Sequence, residues 1–162
     1  MAVERFRQLL AHLGAKARDA SHLDRLFRLR LSGRGELLPG CRAVLRGLAR
    51  SYRLGIVTNG IDRVQRSRLT VAGLDRFFGA IVTSEGCGFA KPDPRIVHVT
   101  LDTLGIHARD AVFVGDDALV DGEAARGAGV RFVWMDRGAP LPRGTRRPHC
   151  RIVRLRELPE AL

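Results

Sequence analysis

The sequence predicts an α/β fold, a Rossmann-like parallel sheet with helices on both faces, preceded by N-terminal helices. Between residues 53 and 135, short apolar segments rich in β-branched residues alternate with longer segments that end at glycine. Strands that alternate with helices form parallel sheets, because a parallel pair needs a crossover connection. Polar residues directly follow three of these strands, at the edge where open α/β sheets bind their ligands.

The beginning of the chain, up to Ser32, predicts two helices that are each apolar on one side only. The first apolar stripe is Phe6, Leu9, Leu10 and Leu13, closed by Gly14, and the second is Leu23, Leu26, Phe27 and Leu31, with Asp19 or Ser21 as the N-cap. A turn at Ser32 to Gly35 follows. Each apolar side requires a partner surface.

The remaining elements follow in order from a helix through Val44, Leu45 and Leu48. The predicted strands are Arg53 to Val57, Ala80 to Thr83, Ala111 to Val114 and Val130 to Met135, with an edge strand at Arg151 to Val153. The predicted helices are Asp62 to Ala72, Pro94 to Leu104 and Leu119 to Ala128, with a closing helix at Leu155 to Leu162. The loop from Gly138 to Pro148, rich in Pro, Gly and Arg, is predicted to be mobile.

Composition excludes several classes of protein. The net charge of +11 comes from arginine, since all but two of the 28 Lys and Arg residues are Arg. These arginines are scattered along the chain, and one Tyr and one Trp provide no stacking platform, so nucleic-acid binding is the less favoured hypothesis. No apolar run approaches the roughly 18 residues of a membrane span, so we expect no membrane contact and a cytoplasmic location. The cysteines lack metal-ligand spacing and are expected to be reduced thiols.

Three strand ends carry residues suited to phosphoryl chemistry. Thr58-Asn59-Gly60 offers a hydroxyl, an amide and backbone N–H groups, an anion cradle that on its own is also an ordinary turn. Lys91 precedes a helix, in a chain that uses Arg for nearly every other positive charge. Asp116, Asp117 and Asp121 follow the third strand. Taken alone, the segment that contains these three acids is equally consistent with two structures. One is a Mg²⁺ site, and the other is a loop in which Asp121 is an acidic residue at the start of a helix.

These residues together favour the metal site, because parallel strands bring their carboxyl ends to one rim of the sheet. Thr58 and Lys91 would hold phosphoryl oxygens there, and the acids would hold Mg²⁺.

The order and spacing of the motifs resemble the haloacid dehalogenase-like (HAD) hydrolase superfamily. The matching segments are Val57-Thr58-Asn59-Gly60, Ala90-Lys91-Pro92-Asp93-Pro94 and Gly115-Asp116 through Asp121. Further residues resemble the pyrimidine 5′-nucleotidase-like branch: Gln65, Arg68-Leu69, Gly73-Leu74, Phe77-Phe78, Ser84-Glu85 and Gly88. The resemblance assigns residues 37–162 to a HAD-like core and residues 1–36 to the end of a helical cap.

By this resemblance the complete protein is a Mg²⁺-dependent phosphatase that works through an aspartyl-phosphate. Its substrate would be a small phosphomonoester, with a nucleoside 5′-monophosphate as one candidate. Thr58, Asn59 and Gly60 would bind the phosphoryl group, and Lys91 would neutralise its charge and orient the nucleophile. Asp116 would ligate Mg²⁺ with support from Asp121.

The sequence departs from the family at two positions and in one missing motif. Asp117 stands where the family usually has Ser or Thr, and Gly122 replaces an apolar residue. The family's D-x-D nucleophile motif, at the end of its first and central strand, occurs nowhere in these 162 residues. We therefore expect a truncated core that is inactive alone, with a missing N-terminal piece or a second chain completing the sheet. The alternative is a non-catalytic remnant that binds a ligand or partner.

This absence also predicts something about the sheet. The strands that begin at Arg53 and Ala111 should pair directly, gape, or accept a strand from another chain.

Overall fold

The computed structural model describes residues 2–32, 36–138 and 140–162. The α-helices in these ranges are α1 (Ala2–His12), α2 (Ala20–Ser32), α3 (Cys41–Leu48), α4 (Asp62–Val71), α5 (Ser84–Cys87), α6 (Arg95–Leu104) and α7 (Val120–Gly127). The strands are β1 (Leu54–Thr58), β2 (Phe78–Thr83), β3 (Val112–Gly115), β4 (Arg131–Met135) and β5 (Cys150–Ile152). Short 3₁₀ segments lie at Ala17–Asp19, Asp75–Phe77, Ala108–Asp110 and Leu155–Glu160.

The predicted order of elements is confirmed, and most of their ends lie within one or two residues of the predicted positions. Two details were wrong. The closing segment is a 3₁₀ helix, which contains Pro159, a residue that cannot donate a backbone hydrogen bond to a regular α-helix. The short helix α5 was not predicted, because glycines at its third position and its end give it no apolar periodicity. Most of the predicted turn at Ser32 to Gly35 lies outside the described residues.

The strands form two separate parallel sheets in the described part of the chain. In one sheet β1 pairs with β2, so that Thr58 lies opposite Thr83 at their carboxyl ends. In the other, β3 pairs with β4 and β4 with β5, in the order β3-β4-β5. The strands β1 and β3 do not pair with each other, so the sheets gape along these two edges.

Helix α6 connects the two sheets through one of the two apolar clusters of the core. Its inner face buries Ile96, Val97, Thr100 and Leu101, at the spacing of a single helix face. The three apolar side chains among them belong to a cluster that reaches Val82 of β2 on one side and Phe132 of β4 on the other. The helix ends at Gly105, whose φ of 63° is the left-handed conformation that favours glycine.

The second cluster covers the opposite face of β4. It contains Val133, Met135 and Ile152, closed by Leu48 of α3 and Leu158 of the final 3₁₀ segment. Apolar clusters therefore lie on both faces of the β3-β4-β5 sheet, with helical segments over each, as the fold class predicts.

The N-terminal helices pack as a pair, with the rings of Phe6 and Phe27 edge to face at 5.6 Å between centroids. Helix α2 of this pair contacts α4, where the Ser67 hydroxyl donates to the carbonyl of Ser32 at 3.4 Å. The assignment of residues 1–36 to a cap stays a prediction. Within the described ranges, no helix is long and apolar enough to span a lipid bilayer.

Candidate functional site

The carboxyl ends of β1 and β3 meet at one rim, joined by the side chain of Lys91. Its Nζ donates to Asp121 Oδ1 at 2.6 Å and to the carbonyl of Val57 at 3.3 Å. Both side chains of the ion pair are shielded, since that of Lys91 is 13% exposed and that of Asp121 is 6% exposed. Lys91 therefore links an element after β3 to the end of β1, across the gap between the sheets.

The backbone of Lys91 is held by Asn59 through two hydrogen bonds. Asn59 Nδ2 donates to the carbonyl of Lys91 at 2.9 Å, and the N–H of Lys91 donates to Asn59 Oδ1 at 2.8 Å. The side-chain amide thus binds the loop after β2 to the loop after β1, and the following Lys91–Pro92 peptide bond is cis. Asn59 acts on the site by positioning Lys91.

The hydroxyl of Thr58 accepts a hydrogen bond from Gln65 Nε2 at 3.0 Å. A hydroxyl that accepts one bond still has its own proton to donate, so the Thr58 O–H is oriented for a further acceptor. The N–H of Gly60, in contrast, already donates to Ser84 Oγ at 2.9 Å. Of the predicted anion cradle, the hydroxyl of Thr58 is the group best placed to meet a ligand.

Gly115 permits the close approach of Asp121. A Cβ at position 115 would lie 2.2 Å from Asp121 Oδ2 and 2.6 Å from its Cγ, distances that exclude any side chain. Asp121 Oδ2 accepts in turn from the N–H of Asp117 at 3.2 Å. Both oxygens of this buried carboxylate are therefore bonded, which fixes Asp121 as the support of Lys91.

Asp116 is the open carboxylate of the rim. Its carbonyl accepts from the Trp134 indole at 3.0 Å, which fixes the backbone. Its side chain is 56% exposed and lies 3.7 Å from the Arg137 guanidinium, a surface contact of little energetic value. Asp117 has a different role. Its Oδ1 accepts hydrogen bonds from the N–H groups of Leu119 and Val120 at 3.0 and 2.9 Å. Asp117 thereby caps the start of α7.

The donor set at this rim fits Mg²⁺. The ion prefers oxygen ligands, takes one or two carboxylates from the protein and keeps several waters. Asp116 offers such a carboxylate in an open position, and the bonded Asp121 lies behind it. No group of three or more His, Cys, Asp and Glu side chains is placed to hold a metal within the described residues. Further ligands would therefore be waters and substrate oxygens.

A second carboxylate supports the β2 side of the rim. Asp62, at the start of α4, accepts from the Arg66 guanidinium at 2.9 Å and from the Thr83 hydroxyl at 2.9 Å. The hydrogen bonds from Arg66 contribute most to lowering the pKa of Asp62 below its ordinary value. Asp62 is therefore ionised at neutral pH and holds the end of β2 against α4.

Sequence reasoning missed the supporting residues of the site. Gln65 was noticed as a family feature, but its bond to Thr58 was not predicted. A glutamine in the first turn of the helix that follows a strand-end threonine was the available signal. Nothing in the sequence indicated that Ser84 would bond Gly60, because the two residues lie 24 positions apart in the chain.

The fold and this rim define an α/β protein with polar side chains gathered at the carboxyl ends of parallel strands. The chain belongs to the haloacid dehalogenase-like hydrolase family, whose model matches residues 5–135.

Curated relatives are similar over most of the chain. A phosphoserine phosphatase of Thermus thermophilus is 38% identical over 97% of the chain and 64% of its own length. The pyrimidine 5′-nucleotidase PynA of Streptococcus pneumoniae is 30% identical over 82% of the chain and 56% of its own length. The chain thus spans between half and two thirds of these relatives.

Solved structures agree with the fold. The HAD-hydrolase YfnB of Bacillus subtilis, in a crystal structure with bound magnesium, superimposes with a TM-score of 0.84. The two sequences are 29% identical, and the match covers 98% of this chain and 70% of that one. A 2-haloacid dehalogenase of Pseudomonas syringae gives a TM-score of 0.79 at 29% identity, with 99% of this chain and 69% of that one covered.

Proposed function

We propose that this chain carries the phosphoryl- and Mg²⁺-binding part of a phosphatase that acts on small phosphomonoesters. The observation that carries the proposal is the Lys91 ammonium, held between Asp121 and the Val57 carbonyl at the rim. Relatives named as a phosphoserine phosphatase and as a pyrimidine 5′-nucleotidase support a phosphomonoester as the class of substrate. The cytoplasmic location stays a prediction.

Lys91 is prepared to receive an anion. An ammonium group has three N–H donors, and two of them are used by Asp121 and Val57. The third is free to donate to a phosphoryl oxygen, while the positive charge offsets the charge of the ligand. The Thr58 hydroxyl, oriented by Gln65, would donate to a second oxygen. Asn59 and Gly60 would contribute backbone N–H groups, that of Gly60 only after release of Ser84.

Asp116 would hold Mg²⁺, and Asp121 would hold Lys91 beside it. Mg²⁺ in such a position neutralises charge on a phosphoryl group and orients it for in-line attack. Asp117 uses its Oδ1 to accept hydrogen bonds at the start of α7, so the proposal assigns the ion to Asp116. The adjacent acids therefore separate into one for the metal and one for the helix.

The covalent step is not assigned to a residue of this chain. An aspartyl-phosphate needs a carboxylate aimed at phosphorus, whereas Asp117 and Asp121 are bonded elsewhere and no Asp-x-Asp occurs in the sequence. This supports a second candidate function, a module that binds a phosphorylated ligand without turnover. Both functions require the same binding rim.

The chain contains matched controls for a binding experiment. Calorimetric titration with inorganic phosphate in the presence of Mg²⁺ should give an affinity that Lys91→Met lowers at least tenfold. Lys16→Met, which removes the only other lysine, should leave it unchanged. Asp116→Asn should weaken Mg²⁺ binding, whereas Asp117→Asn should not, because Asn also caps helices. The double variant Lys91→Met/Asp121→Asn avoids an unpaired buried charge and keeps the test independent of folding.

Equal phosphate affinities for Lys91→Met and Lys16→Met would refute the proposal. Turnover of p-nitrophenyl phosphate with Mg²⁺ separates the two functions. We expect none from the chain alone. A rate that falls with Asp116→Asn would show that this chain has its own nucleophile.

A further inference from the structure

A second cavity lies between α7, the start of β4 and the loop that leads to β5. Its volume is about 340 Å³, within the range of ligand pockets in proteins. The cavity extends toward the amino ends of the strands, since Arg131 begins β4 and His149 directly precedes β5. The rim lies at the carboxyl ends, and neither Lys91 nor Asp116 lines this cavity. It is therefore a separate place on the molecule.

Basic residues dominate the lining of this cavity. Beside one acidic residue, Glu123, the charged and titratable members of the lining are Arg126, Arg131, Arg146, Arg147 and His149. Glu123 is already paired with Arg126, one turn further along α7. Among the described residues, no hydrogen-bond or ion-pair partner meets the guanidinium groups of the other three arginines. Their positive charge is thus available to an anion from solution.

The inner wall of the cavity is apolar. Ala118, Val130 and Phe132 line it, and all three are buried. Gly122, which stands where the family usually has an apolar residue, contributes only backbone to the wall. A Cβ at position 122 would lie 3.2 Å from Phe132 Cε1, so the ring lies directly against the helix. The cavity therefore combines an apolar interior with exposed arginines around it.

The loop before β5 brings two of these arginines to the cavity. Thr145 Oγ1 donates to the carbonyl of Pro142 at 2.6 Å, which closes a turn just before Arg146. The N–H of His149 donates to the carbonyl of Phe132 at 2.8 Å, which joins the end of the loop to β4. Arg146 and Arg147 lie between these two hydrogen bonds, so the backbone that carries them is fixed on both sides.

We propose that this cavity binds a small organic polyanion that carries two or more phosphoryl groups on an apolar or aromatic body, the chemistry of a nucleoside diphosphate. Guanidinium groups bind phosphoryl oxygens through two parallel N–H bonds, and several of them match a multiply charged ligand. The apolar interior receives the uncharged part. A nucleic-acid strand fits less well, because proteins that bind single strands stack bases on accessible aromatic rings, whereas Phe132 is buried.

The site goes beyond the proposed function, because it uses neither the rim nor Mg²⁺. Calorimetric titration with ADP at low ionic strength and without Mg²⁺ measures it. We expect saturable binding that Arg146→Gln/Arg147→Gln weakens about tenfold or more, since charge-assisted hydrogen bonds are lost. Adenosine should not bind, and pyrophosphate should bind more weakly than ADP, because each lacks one of the two parts of the ligand.

A matched control removes the same charge elsewhere. Arg143 and Arg50 are exposed and do not line the cavity, and Arg143 belongs to the same loop. The double variant Arg143→Gln/Arg50→Gln should therefore keep the wild-type affinity for ADP. Lys91→Met should also keep it, because the rim takes no part in this binding.

Five results would overturn the inference. Absence of ADP binding would refute the site, and equal losses in the two double variants would mean diffuse attraction to the net charge of +11. Loss of ADP binding in Lys91→Met would place the ligand at the rim. Pyrophosphate that binds as tightly as ADP would refute the role of the apolar interior. An oligothymidylate that displaces ADP and binds about tenfold more tightly would make the surface a nucleic-acid contact.

Discussion

Replacement of Gly115 by alanine tests the geometry of the rim most directly. The new Cβ would lie 2.2 Å from Asp121 Oδ2 and 2.7 Å from Asp121 Cβ, so the carboxylate must move. It would then lose its bond to Lys91 at 2.6 Å and that from the N–H of Asp117 at 3.2 Å. Gly115 lies in a strand and has no positive φ, so the effect would arise from contact and not from backbone strain.

The expected magnitude follows from the burial of the ion pair. Breaking a buried pair by displacing one partner costs about 3–5 kcal/mol, because the remaining charge is left uncompensated. We therefore expect Gly115→Ala to lower the free energy of unfolding by about 3–5 kcal/mol. Gly47→Ala is the control, since Gly47 lies in α3 with nothing within 4 Å of the new methyl group. It should be neutral or stabilise the chain by up to about 1 kcal/mol.

Urea denaturation followed by the fluorescence of the single, buried Trp134 measures both variants. A double-mutant cycle with Lys91→Met assigns the cause. If Gly115→Ala acts by separating Asp121 from Lys91, it should cost at least about 1 kcal/mol less in the Lys91→Met background. A loss below about 1 kcal/mol for Gly115→Ala alone would refute the close-approach argument, and additive effects in the cycle would refute its link to the ion pair.

Three further predictions concern the residues around the rim. Asn59→Ala should lower the free energy of unfolding by about 1 kcal/mol and weaken phosphate binding through Lys91, whose backbone it holds; an unchanged phosphate affinity would contradict the positioning role. Asp117→Ala should cost about 1 kcal/mol in urea denaturation, and Asp117→Asn should restore most of it, because both Asp and Asn cap helices. Hydrogen bonds from the Gly138 N–H and the Arg151 guanidinium lower the pKa of Asp136 in the folded state. Asp136 therefore contributes its full stability above the unfolded pKa of about 3.9. That contribution is lost as the pH falls through the lower folded pKa. Thermal unfolding between pH 2 and 7 should therefore lose part of its acid sensitivity in Asp136→Asn.

The sequence was sufficient to locate the strands and their polar ends. Short β-branched segments that alternate with amphipathic helices are read as strands. Their parallel pairing follows from the helical connections between them. Thr58, Lys91 and Asp121 could be proposed as neighbours because the carboxyl ends of parallel strands share a rim. In the structure Lys91 and Asp121 are in direct contact, at 2.6 Å between Nζ and Oδ1.

The contacts that hold these groups could not be predicted, because they depend on how loops fold over one another. Asn59 bonds the backbone of Lys91, 32 residues away, and no local pattern specifies such a contact. Asp117 remained ambiguous for a different reason. In a sequence, an acidic residue before a helix is equally consistent with a metal ligand and with a helix cap. Only the distances from Asp117 to the N–H groups at the start of α7 distinguish these two roles.

Lys91 couples the binding rim to the relative position of the two sheets. Its ammonium bonds the carbonyl of Val57 in the β1-β2 sheet and the carboxylate of Asp121, which follows β3 in the other sheet. The distance between these two acceptors depends on how far the sheets stand apart. That separation also sets the direction of the third N–H of Lys91. The phosphate affinity of the rim should therefore depend on the separation of the two sheets through Lys91, and Lys91→Met should remove that dependence.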